Sequence, residues 1–183
     1  MTESWPLGRS RDGGLDRVPL PTGPGQLWIC GKHAIGPDVE ALLARTAEGE
    51  RDRGGSSSVL CLTETFEIAD RYPAYAAWLE SNRNGRAILF PIPDLHAPEL
   101  DAVIELLDQL RERLAVGQRI VIHCAAGVGR SGTVAACLLI SMGMSRDAAL
   151  AHVAAHRPMA GPEVGAQLEL VDAVADSRLG KTR

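Results

Sequence analysis

An α/β fold, with a central and mostly parallel sheet flanked by helices, is predicted by three observations on this sequence. Short apolar runs at 26–31, 59–62, 87–90 and 119–123 each fit a buried strand. Between them lie segments with helical spacing, clearest where Leu100, Val103, Ile104, Leu107, Leu110 and Leu114 recur every three or four residues. Strands that alternate with helices pair in parallel, because each crossover returns the chain to the same end of the sheet. The third observation is size: 183 residues at 45% apolar content suffice for one domain with a sizeable core.

In chain order, residues 1–24 mix Ser, Arg, Gly and Asp without apolar periodicity and close on Pro19, Pro21 and Pro24, which predicts a flexible N-terminal arm. Residues 26–31 are the first strand. Pro37 and Asp38 open a helix through Leu43, with proline and acid in its first turn. A polar loop over 51–58 leads into the strand at 59–62; 64–70 follow as a loop or short helix, and 71–79 as a helix that stops before Ser81 to Gly85. The strand at 87–90 cannot run on into Pro91-Ile92-Pro93-Asp94-Leu95-His96-Ala97-Pro98, because proline supplies no ladder donor. The amphipathic helix from Leu100 ends at Gly117, a favourable C-terminal stop.

After the strand at 119–123 and a glycine-containing loop, Ala135, Ala136 and Leu139 mark a helix able to pack closely on the sheet. Ser145 is placed to cap a helix over 146–156, which Arg157-Pro158 ends. Pro162 and Glu163 open a last helix carrying Val164, Leu168, Val171 and Val174, and 177–183 remain as a C-terminal tail. Trp28, Phe66, Trp78 and Phe90 fall in or beside these elements and are read as core.

The formal charge of −4 argues against a general nucleic-acid or anionic-membrane surface, so any affinity for phosphate must be local. Cys30, Cys61, Cys124 and Cys137 show neither zinc-ligand spacing nor the pattern of a disulfide scaffold, and no metal or cofactor is expected. His152 and His156 lie four apart on a helix but lack a third ligand, and read as an ordinary helix face. Without a leader pattern or a bilayer-length apolar stretch, the chain is expected to be cytoplasmic, with reduced thiols and no membrane span.

The chemistry concentrates in His123-Cys124-Ala125-Ala126-Gly127-Val128-Gly129-Arg130-Ser131, a strand end, a tight loop and a helix start. Successive N–H groups of such a loop can turn inward around an oxyanion, while the helix beginning near Ser131 points its positive end at the same spot. Gly127 and Gly129 permit positive φ and close backbone approach, and Ala125, Ala126 and Val128 leave the centre open. Cys124 at the floor faces the amides, the helix end and Arg130, surroundings that favour thiolate over thiol. The planar fork of Arg130 can hold two phosphoryl oxygens. A purely structural reading, core thiol plus helix-terminal charge, leaves unexplained an arginine that opposes the helix dipole.

The pattern His-Cys-x5-Arg-Ser resembles the signature of the cysteine-dependent protein tyrosine phosphatase superfamily, and the chain is similar to its small dual-specificity phosphatases of the kinase-associated type. The resemblance implies a protein tyrosine phosphatase-like sandwich, with the phosphatase domain at 25–176, that hydrolyses phosphomonoesters through a phosphocysteine intermediate. Phosphorylated proteins, at tyrosine and at serine or threonine, are the implied substrates, since 125, 126 and 128 lack the lysines and arginines of members acting on phosphoinositides.

Asp94, 30 residues before Cys124, lies in a proline-framed loop that resembles the family's mobile acid loop and is the expected proton donor and later base. Asp101 reads as a solvated first-turn charge, and Asp70 has no such loop around it. Ser131 matches the family's residue that eases departure of sulfur, and His123 is expected to orient the cradle. Gln167 stands where related phosphatases carry a glutamine near the pocket, which implies positioning of water. Cys61 resembles the backdoor cysteine of kinase-associated phosphatase and of phosphatase and tensin homologue, implying a disulfide with Cys124 under peroxide. Two other classes fit less well. A phosphoprotein-binding module of this fold has no need of both Cys124 and Arg130, and a sulfurtransferase or arsenate reductase leaves Asp94 and Ser131 unexplained.

Overall fold

The computed structural model describes residues 14–47, 56–83 and 85–180. Strands β1 (Asp16–Val18), β2 (Gln26–Gly31), β3 (Ser57–Cys61), β4 (Ala87–Leu89) and β5 (Arg119–Cys124) form one sheet in the order β1-β2-β5-β3-β4. β2, β5, β3 and β4 run parallel, and β1 pairs antiparallel along the outer edge of β2. The expected mostly parallel sheet is therefore the architecture, with β5 at its centre.

Alternation along the strands divides the core. Ile120, Ile122 and Cys124 enter one cluster with α5 (Leu100–Ala115), α6 (Gly129–Ser141), α7 (Arg146–His156) and α8 (Gly165–Gly180). Val121 enters the other, with α1 (Lys32–Ile35), α2 (Val39–Arg45), α3 (Phe66–Ala69) and α4 (Pro73–Ser81). The helix signals act where the sequence places them. Asp38 caps α2 by accepting from the Ala41 N–H at 2.9 Å, Ser145 caps α7 by accepting from Ala148 at 3.4 Å, and Gly117 follows α5 at φ +84°.

Four expectations are corrected. The arm at 1–24 contains β1, which shows no apolar alternation because Asp16 is one of its two inward residues; residues 1–13 lie outside the described structure. β3 starts at Ser57, inside the expected loop 51–58, and 51–55 lie outside the described residues. Its two serines are buried yet satisfied: Ser57 Oγ accepts from Arg119 Nε at 3.1 Å and Ser58 Oγ donates to Gln118 at 3.1 Å. α8 continues to Gly180, into the expected tail, supported where Arg178 donates to the Ile140 carbonyl at the end of α6; 181–183 are outside the described residues. Phe66, expected in the core, is 72% exposed. Among the described residues no helix is long and apolar enough to cross a membrane.

Candidate active site

The carboxyl ends of β3, β4 and β5 meet at one edge of the sheet, where ligands bind in folds of this kind. β3 delivers α3 with Glu67, β4 delivers the loop 91–98 with Asp94, and β5 delivers the loop that runs from Cys124 into α6.

The shape of that last loop follows from where its carbonyls go. The Lys32 N–H binds the Ala125 oxygen at 2.9 Å, and the N–H groups of Gly132 and Gly161 bind the Val128 oxygen at 2.9 and 3.3 Å. Arg157 takes the remaining two, Ala126 from Nη2 at 2.9 Å and Gly127 from Nε. All four oxygens are thus held from outside. Across a trans peptide the next N–H points the opposite way, so the amides of Ala126, Gly127, Val128 and Gly129 face the inner side. Gly127 shows the result, since its N–H donates to Cys124 Sγ at 3.2 Å.

Gly127 needs its glycine twice: φ is +70°, and a Cβ would run into the Cys30 carbonyl and the Arg157 guanidinium. Gly129 differs from expectation. It is the first residue of α6, two before the expected start, without positive φ, and its missing Cβ makes room for the Glu163 carboxylate.

Arg130 is enclosed, its side chain 1% exposed. Nη1 and Nη2 grip the two oxygens of Glu67 at 2.6 and 2.8 Å, Nη1 also donates to the Ile92 carbonyl at 2.8 Å, and Nη2 lies 3.2 Å from Asp94 Oδ1. Burial acts to lower the guanidinium pKa, but the hydrogen-bonded Glu67, with Cys124 and Asp94 nearby, raises it above its ordinary value. For Glu67 burial acts upward, and hydrogen bonds from Arg130 and the Glu64 N–H bring its carboxyl below the usual range. Arg130 Nε and Ser131 Oγ are two of three buried side-chain polar atoms without a hydrogen-bond partner among the described residues. Each such group costs about 1–3 kcal/mol when left unmet, and both lie in the first turn of α6, directly after the loop whose amides face inward. The donor set fits a tetrahedral oxyanion.

Asp94 is well exposed, so its ion pair with Arg130 contributes little to stability and leaves the carboxyl free for solvent-facing chemistry. Its loop is fixed at both ends. Ile92 is buried with its N–H on the Leu62 carbonyl at 3.0 Å, and Gln167 Nε2 donates to the His96 carbonyl at 3.2 Å. Gln167 Oε1 accepts from Glu163 N–H at 2.9 Å and Thr133 Oγ1 at 3.4 Å. Gln167 is thus a strut between α6, α8 and the acid loop.

His123 is buried, with Nε2 2.6 Å from the Tyr75 hydroxyl and Nδ1 3.3 Å from the Cys124 carbonyl. Burial, then the neighbouring Cys61 and Cys30, push the Tyr75 hydroxyl well up, so the phenol that pairs with Nε2 keeps its proton. Cys61 stands opposite His123 in the β3–β5 register and packs into the α1–α4 cluster, whereas Cys124 packs into the other. Adjacent strand residues point to opposite faces, and both thiols are free. Burial pushes the Cys61 thiol up, and His123 and Thr63 bring it below its ordinary value. His152 and His156 do not converge on a metal: their nitrogens bind the carbonyls of Pro19 and His152, each at 2.8 Å.

Three residues at this site are absent from the sequence reading. Glu67 had one available signal, an acid just past the carboxyl end of a predicted strand. Arg157 reads only as a helix stop, and Tyr75 only as a helical residue.

Residues 45–171 match the family described as PTP-SAK, Swiss Army Knife protein, DSP-PTPase phosphatase domain. Over 50 residues the chain is 44% identical to cyclin-dependent kinase inhibitor 3 of Sus scrofa, covering 27% of this chain and 24% of that protein. Over 128 residues it is 32% identical to phosphatidylinositol 3,4,5-trisphosphate 3-phosphatase and protein-tyrosine-phosphatase PTEN1 of Arabidopsis thaliana, covering 64% of this chain and 31% of the relative. The matches thus span 24% and 31% of the length of these curated relatives. Among solved structures, kinase associated phosphatase with serine in place of its catalytic site cysteine superposes with a TM-score of 0.71 at 20% identity, over 96% of this chain and 97% of that one, a likeness of fold.

Proposed function

The chain belongs to the DSP-PTPase phosphatase domain family, and from that premise we propose that it hydrolyses phosphomonoesters through a phosphocysteine intermediate, with phosphotyrosine and phosphoserine or phosphothreonine proteins as substrates in the cytoplasm. The observation that carries this reading is the loop whose four carbonyls are held outward, with Cys124 Sγ receiving the Gly127 N–H and Arg130 Nε left as a free donor beside it.

The Cys124 thiolate attacks phosphorus as the bond to the ester oxygen breaks, and that oxygen leaves with a proton from Asp94. Water then attacks the phosphocysteine, giving its proton to Asp94 and returning the electron pair of the P–S bond to sulfur, where the Ser131 hydroxyl stabilises it. Arg130 and the inward amides hold the equatorial oxygens throughout. Glu67 keeps two of the guanidinium nitrogens occupied, which aims Nε at the phosphoryl group. Ala125, Ala126 and Val128 add no positive charge to the loop, which favours a singly phosphorylated side chain over a headgroup with several phosphates. A relative named as both a phosphoinositide phosphatase and a protein-tyrosine-phosphatase keeps a second reading, a non-protein phosphomonoester, beside the first.

Purified protein should release phosphate from p-nitrophenyl phosphate and lose the activity with vanadate. Cys124→Ser should reduce turnover by about a thousandfold or more while keeping oxyanion affinity; turnover near wild type would remove Cys124 from the mechanism. Asp94→Ala should slow alkyl phosphates by about a hundredfold and the nitrophenyl ester far less, because only the poor leaving group needs the proton. An equal loss on both would sink the acid assignment. Matched phosphopeptides and inositol phospholipids decide the substrate class, and a strong preference for the lipids would favour the second reading.

A further inference from the structure

We propose that Arg157, anchored by Asp16, is a positioning residue that sets the inward amides of the oxyanion cradle, so that strand β1 belongs to the catalytic apparatus. The inference rests on the phosphatase reading for its kinetic part and on oxyanion binding alone for the rest.

Arg157 follows α7 directly, and its side chain is 1% exposed. Packing does not need a guanidinium there, since a buried charge is costly and an apolar side chain of similar size would fill the space. Two of its three nitrogens are turned on one object. Nε binds the Gly127 carbonyl and Nη2 the Ala126 carbonyl at 2.9 Å, so one rigid planar group holds two successive peptide planes of the cradle. Turning those oxygens outward turns the Gly127 and Val128 N–H groups inward. The Gly127 N–H is the one on Cys124 Sγ. Arg157 thus fixes a donor to the nucleophile and a donor to the phosphoryl group without touching either.

A fork that pulls on a loop needs a fixed point on its other side. Nη1 supplies it, bound to Asp16 Oδ2 at 2.7 Å and to the Gly14 and Ile29 carbonyls at 3.1 and 3.3 Å. Asp16 is the matching buried charge, its side chain also 1% exposed. It is carried on a three-residue strand that pairs only with the outer edge of β2. β1 buries Val18 in the core, and Asp16, its other inward residue, brings a carboxylate to the back of the cradle.

The test measures vanadate dissociation constants, together with kcat and KM on p-nitrophenyl phosphate and on an alkyl phosphate, for wild type, Asp16→Ala, Asp16→Asn and Arg157→Lys, well below each melting temperature. Asp16→Ala should weaken vanadate binding about tenfold, the scale of one charge-assisted hydrogen bond, and lower kcat by a similar factor on both substrates. Asp16→Asn keeps an oxygen acceptor for Nη1 and should recover most of the affinity. Arg157→Lys should not, because an ammonium cannot span both carbonyls. Asp16 variants that are less heat-stable but bind vanadate and turn over like wild type would overturn the proposal and leave the pair a structural one. If Arg157→Lys does not fold, the two Asp16 variants still decide. A wild type that binds vanadate but hydrolyses nothing removes the phosphatase reading, and the affinity comparison then judges the brace by itself.

Discussion

Arg130 and Arg157 stand on opposite sides of one loop. Each side chain is 1% exposed, and each meets a carboxylate, Glu67 for the first and Asp16 for the second. They differ in where their other donors go. Arg157 directs other bonds to backbone carbonyls of the cradle, of β2 and of Gly14, whereas Arg130 keeps Nε without a partner among the described residues. Burial of a charge therefore does not by itself distinguish a ligand-binding group from a framework one. The disposition of the donors does, because an unmet donor in the interior is tolerated only where something else is to meet it.

The sharpest way to break the comparison is Arg130→Lys. It should lower kcat/KM on an aryl phosphate by about a hundredfold to a thousandfold, a larger loss than the tenfold expected from the Asp16 change behind the loop, and near-equal losses would erase the distinction. Next comes Glu67→Gln, which leaves the buried guanidinium only the exposed Asp94 as counter-ion and should cost about 3 kcal/mol in urea unfolding at neutral pH.

The two carboxylates should also respond oppositely to pH. Glu67 has a lowered pKa in the folded protein, so its stabilisation is full above its ordinary value of 4.5 and is lost as pH falls through the folded value. Burial raises the Asp16 pKa despite Arg157, so the folded state holds that proton to higher pH and stability falls as pH rises from 3.8 through the folded value. Unfolding free energies across the acid range should show the wild-type advantage over Glu67→Gln growing with pH and that over Asp16→Asn shrinking. Parallel slopes would contradict the assignment of the two environments. The smallest effect is expected outside both pairs: Phe66→Ala, next to Glu67 but 72% exposed, should change stability by no more than about 0.5 kcal/mol, and a larger loss would return Phe66 to the core.

The parts of the site that can be read from sequence are those whose chemistry is contiguous. Cys124, the glycines, Arg130 and Ser131 fall in one stretch, and the prolines around Asp94 mark its loop without reference to anything distant. Glu67, Tyr75 and Asp16 leave no such mark. Their partners Arg130, His123 and Arg157 lie 63, 48 and 141 residues away, and no local periodicity encodes a contact of that span. β1 and the start of β3 leave little mark for a related reason, since their inward polar groups Asp16 and Ser57 meet arginines from elsewhere in the chain and break the apolar pattern. Cys61 illustrates the converse. Its strand is legible as an apolar run, but which face it shows depends on register, and register is set by the pairing with β5.

The span between Asp16 and Arg157 also orders events at the ribosome. Chains are made from the N-terminus, so β1, β2 and the Cys124 loop are all synthesised before residue 157. A nascent chain stopped anywhere in between can lay down strands, yet nothing holds the Ala126 and Gly127 carbonyls outward. The loop that presents the thiol is therefore among the last parts to take its working shape, and a truncated translation product carries the nucleophile in its sequence without the geometry to use it.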